Sequence, residues 1–378
     1  AQCLYFLQRT PEAIPLLRSL IALHPDDASL KATLALYLVS VGEYAESRAL
    51  LDAVPPETPG VRAQLGWLLM REGKFLEAFR NLQHEKGVWH AERLYDLPPE
   101  KLYQAGTSLQ GKRIFVVSEG GLGDEILFAR FLQDLKKRGA YVIFGCSPEL
   151  WDILKGSPSA PHEFRKAKEV KREEYDYYAP LMSLPILLER EDPSSGIEIP
   201  YLFADPLYAA SWKPLIERES GGRPAIGIRW QGKMELEHRQ ARAVPAREML
   251  PLADLGRLFS LQRDNGLGEM KKNDPVYDLS DELVTWSETL GALANMDYVV
   301  TSCTSTVHVA GAMGKKTALI AAFSHPLYFP WAVPGEKTEW YPSVKVFRQP
   351  VYNDWKGAIR AAYEWIEKDI AETGKKSP

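Results

Sequence analysis

A helical repeat region followed by two α/β units is the fold class this sequence predicts, and three observations carry it. A six-residue block recurs in register near the start, GEYAES at Gly42–Ser47 and GKFLEA at Gly73–Ala78. From residue 113 onward β-branched runs alternate with amphipathic stretches, the order that builds a parallel sheet with covering helices. The alternation restarts after KPLIERESGGRP, Lys213–Pro224, whose glycine pair reads as an inter-domain hinge. At 378 residues the chain exceeds what one hydrophobic core holds, so two or three domains are expected.

The two repeat blocks stand 31 residues apart, and a partial earlier copy, TPEAIPLL, sets Glu12 and Ala13 34 residues ahead of Glu46 and Ser47. Each copy is followed by a leucine-rich stretch and a proline turn. Glycine then Tyr or Phe at an inter-helix turn, with a small residue for close packing in the next helix, resembles the tetratricopeptide repeat. Such arrays bind partners rather than do chemistry. We assign them residues 1–92. The proline- and glycine-bearing stretch LPPEKLYQAGTSLQGK marks a linker over 93–110.

The first α/β unit spans 111–215. Its strand RIFVV, Arg113–Val117, feeds a helix over 125–138 whose Ile126, Leu127, Phe131, Leu132 and Leu135 share a face. A strand Ala140–Gly145, a short helix PELWDILKG and the buried run DYYAPLMSLPILL follow. In the second unit, 216–350, the strands AIGIRW, RLFSLQ, DYVVTS and TALIAA alternate with helices near 246–254, 285–296 and 305–313. The segment 351–378 places Trp355, Ile359, Ala362, Ile366 and Ile370 on one helical face, so it docks on something.

Composition and motif failures exclude several classes. A formal charge of −4 supplies no general pull toward nucleic acid or anionic membrane. No apolar run approaches the roughly 18 residues of a transmembrane helix, and no signal peptide is visible. The cysteines Cys3, Cys146 and Cys303 are dispersed, with no C-x-x-C pair, which fits a reducing cytoplasm better than a disulfide or zinc framework. The segment GAMGKKT, Gly311–Thr317, imitates a P-loop, but Val309 stands where its first glycine belongs and a strand follows instead of a helix. There is no H-E-x-x-H and no D-x-D pair, so no metal site is expected.

Two turns carry candidate chemistry. SEGGLGDE, Ser118–Glu125, joins a strand to a helix, but Ile126 replaces the third glycine of the dinucleotide fingerprint. It presents Asp124 at the helix start, where a carboxylate either caps the helix or does chemistry. TSCTSTVHVAGAMG, Thr301–Gly314, ends a strand in the hydroxyls of Thr301, Ser302, Thr304, Ser305 and Thr306 just before a helix. Hydroxyls and backbone N–H groups at a helix N-terminus suit an anion such as a diphosphate. An earlier strand end, RWQGKMELEHRQAR, brings Arg229, Lys233, Arg239 and Arg242, cations able to neutralise a leaving diphosphate without metal. Some of the four are expected to be ordinary surface residues, and Arg229 and Lys233 are the ones singled out as candidates.

The blocks SEGGLGDEILFARFL, YYAPLMSLPI, IPYLFADP, IRWQGK, FSLQRD, LANMDYVVTSCTSTVHVAGAMGKK and EWYPSVKVFRQPVYNDW, in order from about residue 90 to 365, resemble bacterial tetratricopeptide-repeat glycosyltransferases. The catalytic region of that family is similar to the heptosyltransferases of lipopolysaccharide synthesis. The resemblance implies a GT-B fold with two Rossmann-like lobes, the acceptor on the first and the nucleotide-sugar on the second, and a final helix crossing back to the first lobe. It implies metal-independent inverting transfer to a protein or glycan acceptor recruited by the repeats, with the nucleotide-sugar as donor substrate and no cofactor. Homo-oligomerisation is compatible with it. By position Asp124 becomes the general base and Glu119 its substitute. Donor contacts fall on Arg229, Lys233, Gln262, Thr289, Ser302, Cys303, Thr304, Ser305, Thr306 and His308. Relatives commonly carry an aspartate in the S-x-D-T-x-x-x-H-L-A-G block, where this chain has Cys303. That change sets a second reading beside the enzyme: a repeat scaffold on a degenerate nucleotide-binding domain.

Overall fold

The structure is a computed structural model that describes residues 1–6, 9–232, 242–263, 265–323, 329–351 and 353–374. Helices α1 (Gln2–Phe6), α2 (Thr10–Leu23), α3 (Ala28–Ser40), α4 (Tyr44–Asp52), α5 (Val61–Arg71) and α6 (Phe75–Tyr95) form the N-terminal stack. The repeat block has a physical cause. Gly42 and Gly73 take φ of 90° and 76° at the turns into α4 and α6, a left-handed conformation that side chains resist. The aligned small residues Ala13, Ser47 and Ala78 are fully buried where helices press together, and Ser47 Oγ donates to the Ala35 carbonyl (2.8 Å).

The first lobe is a four-stranded parallel sheet in the order β3 (Glu163–Arg165), β2 (Tyr141–Gly145), β1 (Arg113–Val117), β4 (Tyr177–Pro180). Around it lie α7 (Leu122–Ala129), α8 (Leu132–Lys137), α9 (Trp151–Leu154) and α10 (Leu184–Leu187). The single helix expected over 125–138 thus starts earlier and breaks at Arg130. This guanidinium is fully buried, with Nε donating to the Leu127 carbonyl (3.0 Å) and Nη1 to that of Trp340 (2.7 Å).

Helix α11 (Pro206–Ser220) precedes the second sheet, whose order is β10 (Val344–Arg348), β9 (Thr317–Ala321), β8 (Tyr298–Thr301), β5 (Ala225–Arg229), β6 (Arg257–Ser260), β7 (Val276–Asp278). All its pairings are parallel. Chain order reverses between β5 and β8, so a crevice opens beyond their carboxyl ends, the usual place for a ligand in a doubly wound sheet. Helices α12 (Trp286–Ala294), α13 (Ser305–Ala312) and α14 (Trp355–Thr373) cover it, while the stretch Ala246–Asp254 is a 3₁₀ helix containing Pro251.

Three expectations about domain limits need correction. The final helix α14 does not cross back: its Ile359, Ala362, Ile366 and Ile370 pack with Ile226, Val300 and Phe347 of the second lobe. Its apolar stripe is matched by the face of its own sheet, beside β9 and β10. Helix α11 also belongs to the second lobe, because Gly291 of α12 leaves room for it; a Cβ there would lie 2.8 Å from Trp212. Gly221 therefore caps α11, and the link between lobes runs earlier, through Tyr201 and Leu202, whose N–H groups both reach the Ala312 carbonyl (2.9 and 3.1 Å). Finally, the repeats are not a separate unit. Leu69, Met70, Phe75, Ala78 and Phe79 share one apolar cluster with Ile114, Phe128, Val307 and Trp340.

What does cross between lobes is the loop before β10. Its Trp340 is 1% exposed and meets Phe75, Phe79 and Phe128 edge-on at 6.3, 6.1 and 6.0 Å. Aromatic pairs of this kind contribute about 0.5–1.5 kcal/mol each beyond area burial. We expect Phe79→Ala to cost about 3–5 kcal/mol. In urea unfolding, helix and tryptophan signals should shift together; a shift of the helical signal alone would show that the repeats fold apart from the lobes.

Candidate active site

Strand β1 hands the chain to α7 through a turn that is crowded at Gly120. A Cβ on Gly120 would lie 2.6 Å from that of Asp124, so glycine is required there. Asp124 Oδ2 accepts the N–H of the N-cap residue Gly121 (2.9 Å), the carboxylate half of a capping box, at the start of α7. The capping role is therefore real. The same residue, with Gly121, Leu122 and Gly123, also lines a cleft of about 750 Å³ between the lobes.

The opposite wall is built at the switch point. Strands β5 and β8 end side by side, and the Ser302 N–H donates to the Arg229 carbonyl (2.9 Å). Thr304 stands at the N-cap position of α13 in an extended conformation, and Thr304, Ser305 and His308 face the cleft. Two helix N-termini, one from each lobe, therefore open onto one cavity, and their partial positive charges favour an anion between them. The approach is close. A Cβ at Gly123 would stand 3.0 Å from His308 Cδ2 and 3.6 Å from Ser305 Cα.

Electrostatics divide the cleft by lobe. Arg229, Arg242 and Arg263 line it from the second lobe, and Asp124, Glu149 and Asp152 from the first. Arg229 is 9% exposed, its guanidinium donating to the carbonyls of Gln231 (3.4 Å) and Leu261 (3.3 Å). Arg263 donates to the Val284 carbonyl (2.8 Å). Burial, and then the charges of Arg130 and Arg242, push His308 down to about 3, so it is a neutral imidazole at physiological pH. Its Nδ1 lies 3.3 Å from the Tyr341 hydroxyl. Among the described residues no group of three His, Cys, Asp or Glu side chains is placed to hold a metal.

Of the residues singled out in the sequence, Asp124, Arg229, Thr289, Cys303, Thr304, Ser305 and His308 come together on this cleft. Others do not line it. Glu119 turns away, its carboxylate accepting the N–H groups of Leu181 (3.0 Å) and Met182 (3.1 Å) at the end of β4, and burial pushes it up to about 8. Gln262 is fully buried and ties backbone to backbone: it donates to Gln231 O (2.9 Å) and accepts the Trp230 and Gln231 N–H groups (3.4 and 3.3 Å). Ser302 and Thr306 are buried behind the wall. Lys233 and Arg239 lie outside the described residues. The sequence does not single out Arg263, Trp286, Glu149 or Asp152, and it offers Arg242 only as one of four cations. Two signals were available: Arg263 directly follows a strand end, and Thr285-x-x-Glu288 is a capping box opening α12 at the cleft.

Residues 7–68 match the tetratricopeptide-repeat family. Over 422 aligned positions the chain is 23% identical to Protein FlbA of Caulobacter vibrioides, an alignment covering 92% of this chain and 68% of that protein. The fold is similar to that of a family 9 glycosyl transferase from Veillonella parvula (TM-score 0.51, 12% identity, 70% of this chain and 98% of the other). It is likewise similar to the ADP-heptose lipopolysaccharide heptosyltransferase II of E. coli (TM-score 0.50, 13% identity, 68% and 99%). At such identities the likeness is one of fold: tetratricopeptide-repeat helices packed on a GT-B pair of lobes.

Proposed function

We propose that the protein is a glycosyltransferase that moves a sugar from a nucleoside-diphosphate sugar to a hydroxyl of a protein or glycan acceptor, with inversion and without metal. One observation supports this above the others: Asp124 faces, across a single cleft, the helix N-terminus and guanidiniums gathered at the switch point of the second sheet. In this reading the Asp124 carboxylate takes the acceptor hydroxyl proton as that oxygen bonds to the anomeric carbon. The bond from that carbon to the diphosphate oxygen breaks on the opposite side. The electron pair leaves on the nucleoside diphosphate, whose charge is met by Arg229, Arg242 and the N-terminus of α13. The fold shared with an ADP-heptose enzyme makes an ADP-sugar the first donor to try. The repeats, packed directly against the lobes, would present the acceptor.

Cys303 supports a second reading. It lines the cleft and its sulfur accepts the Trp331 indole N–H (3.3 Å), so a weak acceptor stands on the wall where a sugar-gripping carboxylate would be expected. In that reading nucleotide binds and no sugar moves.

Asp124→Asn keeps an oxygen able to cap α7 but cannot take a proton. Turnover should fall by roughly 10²–10⁴ while nucleoside diphosphate affinity changes little. Turnover within a few-fold of wild type would leave Asp124 as a cap alone.

Thermal-shift titration with ADP, UDP and GDP should find a ligand that stabilises by about 2.7 kcal/mol at 100 times its dissociation constant. The stabilisation should survive EDTA and vanish in Arg229→Ala. Loss on adding EDTA would remove the metal-free mechanism.

Cys303→Asp should raise transfer or change the preferred donor across a panel of nucleotide-sugars, with bare nucleoside diphosphate affinity nearly unchanged. An unchanged donor profile would place residue 303 outside the sugar site.

A further inference from the structure

Behind the two cleft residues Cys303 and His308 stands a tryptophan that does not itself line the cavity. Trp331 is 1% exposed. Its indole N–H donates to Cys303 Sγ at 3.3 Å, and its ring stacks on His308 with centroids 5.5 Å apart at 23°. Tyr341, whose ring lies 6.3 Å from that of Trp331, brings its hydroxyl to the imidazole Nδ1 (3.3 Å). The backbone that carries Trp331 is pinned as well: the Arg348 guanidinium donates to the carbonyls of Trp331, Val333 and Gly335. Burial and then the Arg71 charge lower Arg348 only to about 10, so it remains a cation. Further along the same loop Trp340 is fixed by Phe75 and Phe79 of the repeats.

We propose that Trp331 is a positioning residue, one that holds the Cys303 thiol and the His308 imidazole in place on the second-lobe wall of the cleft. A side chain with an N–H donor and a large flat face satisfies both neighbours at once, which no aliphatic residue could do. The inference rests on the reading of the cleft as a nucleotide-sugar site for its functional meaning, but its test needs no turnover.

An N–H group aimed at sulfur stabilises a thiolate more than a thiol, so Trp331 is read out in the reactivity of Cys303. The experiment uses the full chain carrying Cys3→Ser, because Cys3 is exposed whereas Cys146 is buried. Iodoacetamide alkylation of Cys303 is followed by mass spectrometry across pH, with and without Trp331→Phe, which keeps a ring against His308 and removes the donor. Other charges on the cleft, those of Arg229, Arg242, Arg263, Asp124, Glu149 and Asp152, are the same in both proteins. The midpoint of the profile should rise and the rate near pH 7 fall by about tenfold, with the high-pH plateau unchanged. An unmoved midpoint, or a change confined to the plateau, would overturn the proposal. Should Trp331→Phe fail to fold, replacing Trp331 by 3-benzothienylalanine, which keeps the bicyclic shape and lacks the N–H, carries the same test. Protection of Cys303 by ADP is scored separately: its absence would count against the site reading and leave the result on Trp331 standing.

Discussion

The close approach of two helix starts at Gly123 is the constraint on which the cleft depends. Each helix N-terminus carries partial positive charge, met at α7 by the Asp124 carboxylate, so the helix dipoles alone do not draw the two ends together. What holds them is packing without a side chain in between: Gly123 lets His308 and Ser305 come within van der Waals reach. The imidazole at this contact has to be uncharged, and its burial keeps it so. In the proposed reading the diphosphate would lie against the α13 end, since the Asp124 carboxylate already occupies the α7 end.

The contact is backed by a buried polar chain that spans both lobes. Arg130 of the first lobe lies 4.5 Å from the centre of the Tyr341 ring and 5.4 Å from that of Tyr201. Tyr201 donates to the Ile126 carbonyl (2.9 Å) and lies 3.2 Å from the Tyr341 hydroxyl, which in turn reaches His308. A guanidinium is expensive to bury, and here carbonyls and ring faces take the place of water around it. Gly311 shows how tight the arrangement is, for a Cβ there would meet the Tyr341 ring at 2.6 Å. The break between α7 and α8 falls at the residue that joins this network, where Arg130 Nε donates to the Leu127 carbonyl.

How much of this could be read from the chain depends on whether the cause was local. Gly42 and Gly73 announced the repeats because each turn needs a left-handed residue, and a requirement of that kind is written at one position. The strand ends at Arg229 and Thr301 were legible for a similar reason, since β-branched runs stop where hydroxyls and charges begin. Distant partners were not legible. The stripe on α14 told that one face is buried but not that the second sheet buries it. Glu119 and Asp124 stand five residues apart in one turn, and only the end of β4, some sixty residues on, decides which of them meets the cleft. Trp340 gave no sign that it would join repeats to lobes, because its partners Phe75 and Phe128 are distant in sequence.

The position of the repeats gives this integration its functional consequence. A recruiting module on a flexible tether raises local concentration and leaves the catalytic groups alone. Here α6 ends in Tyr95, whose hydroxyl donates to the Ser118 carbonyl (3.0 Å) at the entrance to the turn that carries Asp124. The loop on the other wall, with Trp331 and Trp340, is seated against α5 and α6. The repeats thus touch the supports of both cleft walls, one through a hydrogen bond and one through aromatic packing. A partner that shifts α5 or α6 by a fraction of an ångström must move those supports or strain the cluster between them, since a packed core does not deform continuously. Movement of α5 or α6 and the geometry of the cleft are in this sense one mechanical problem, settled by the same apolar residues.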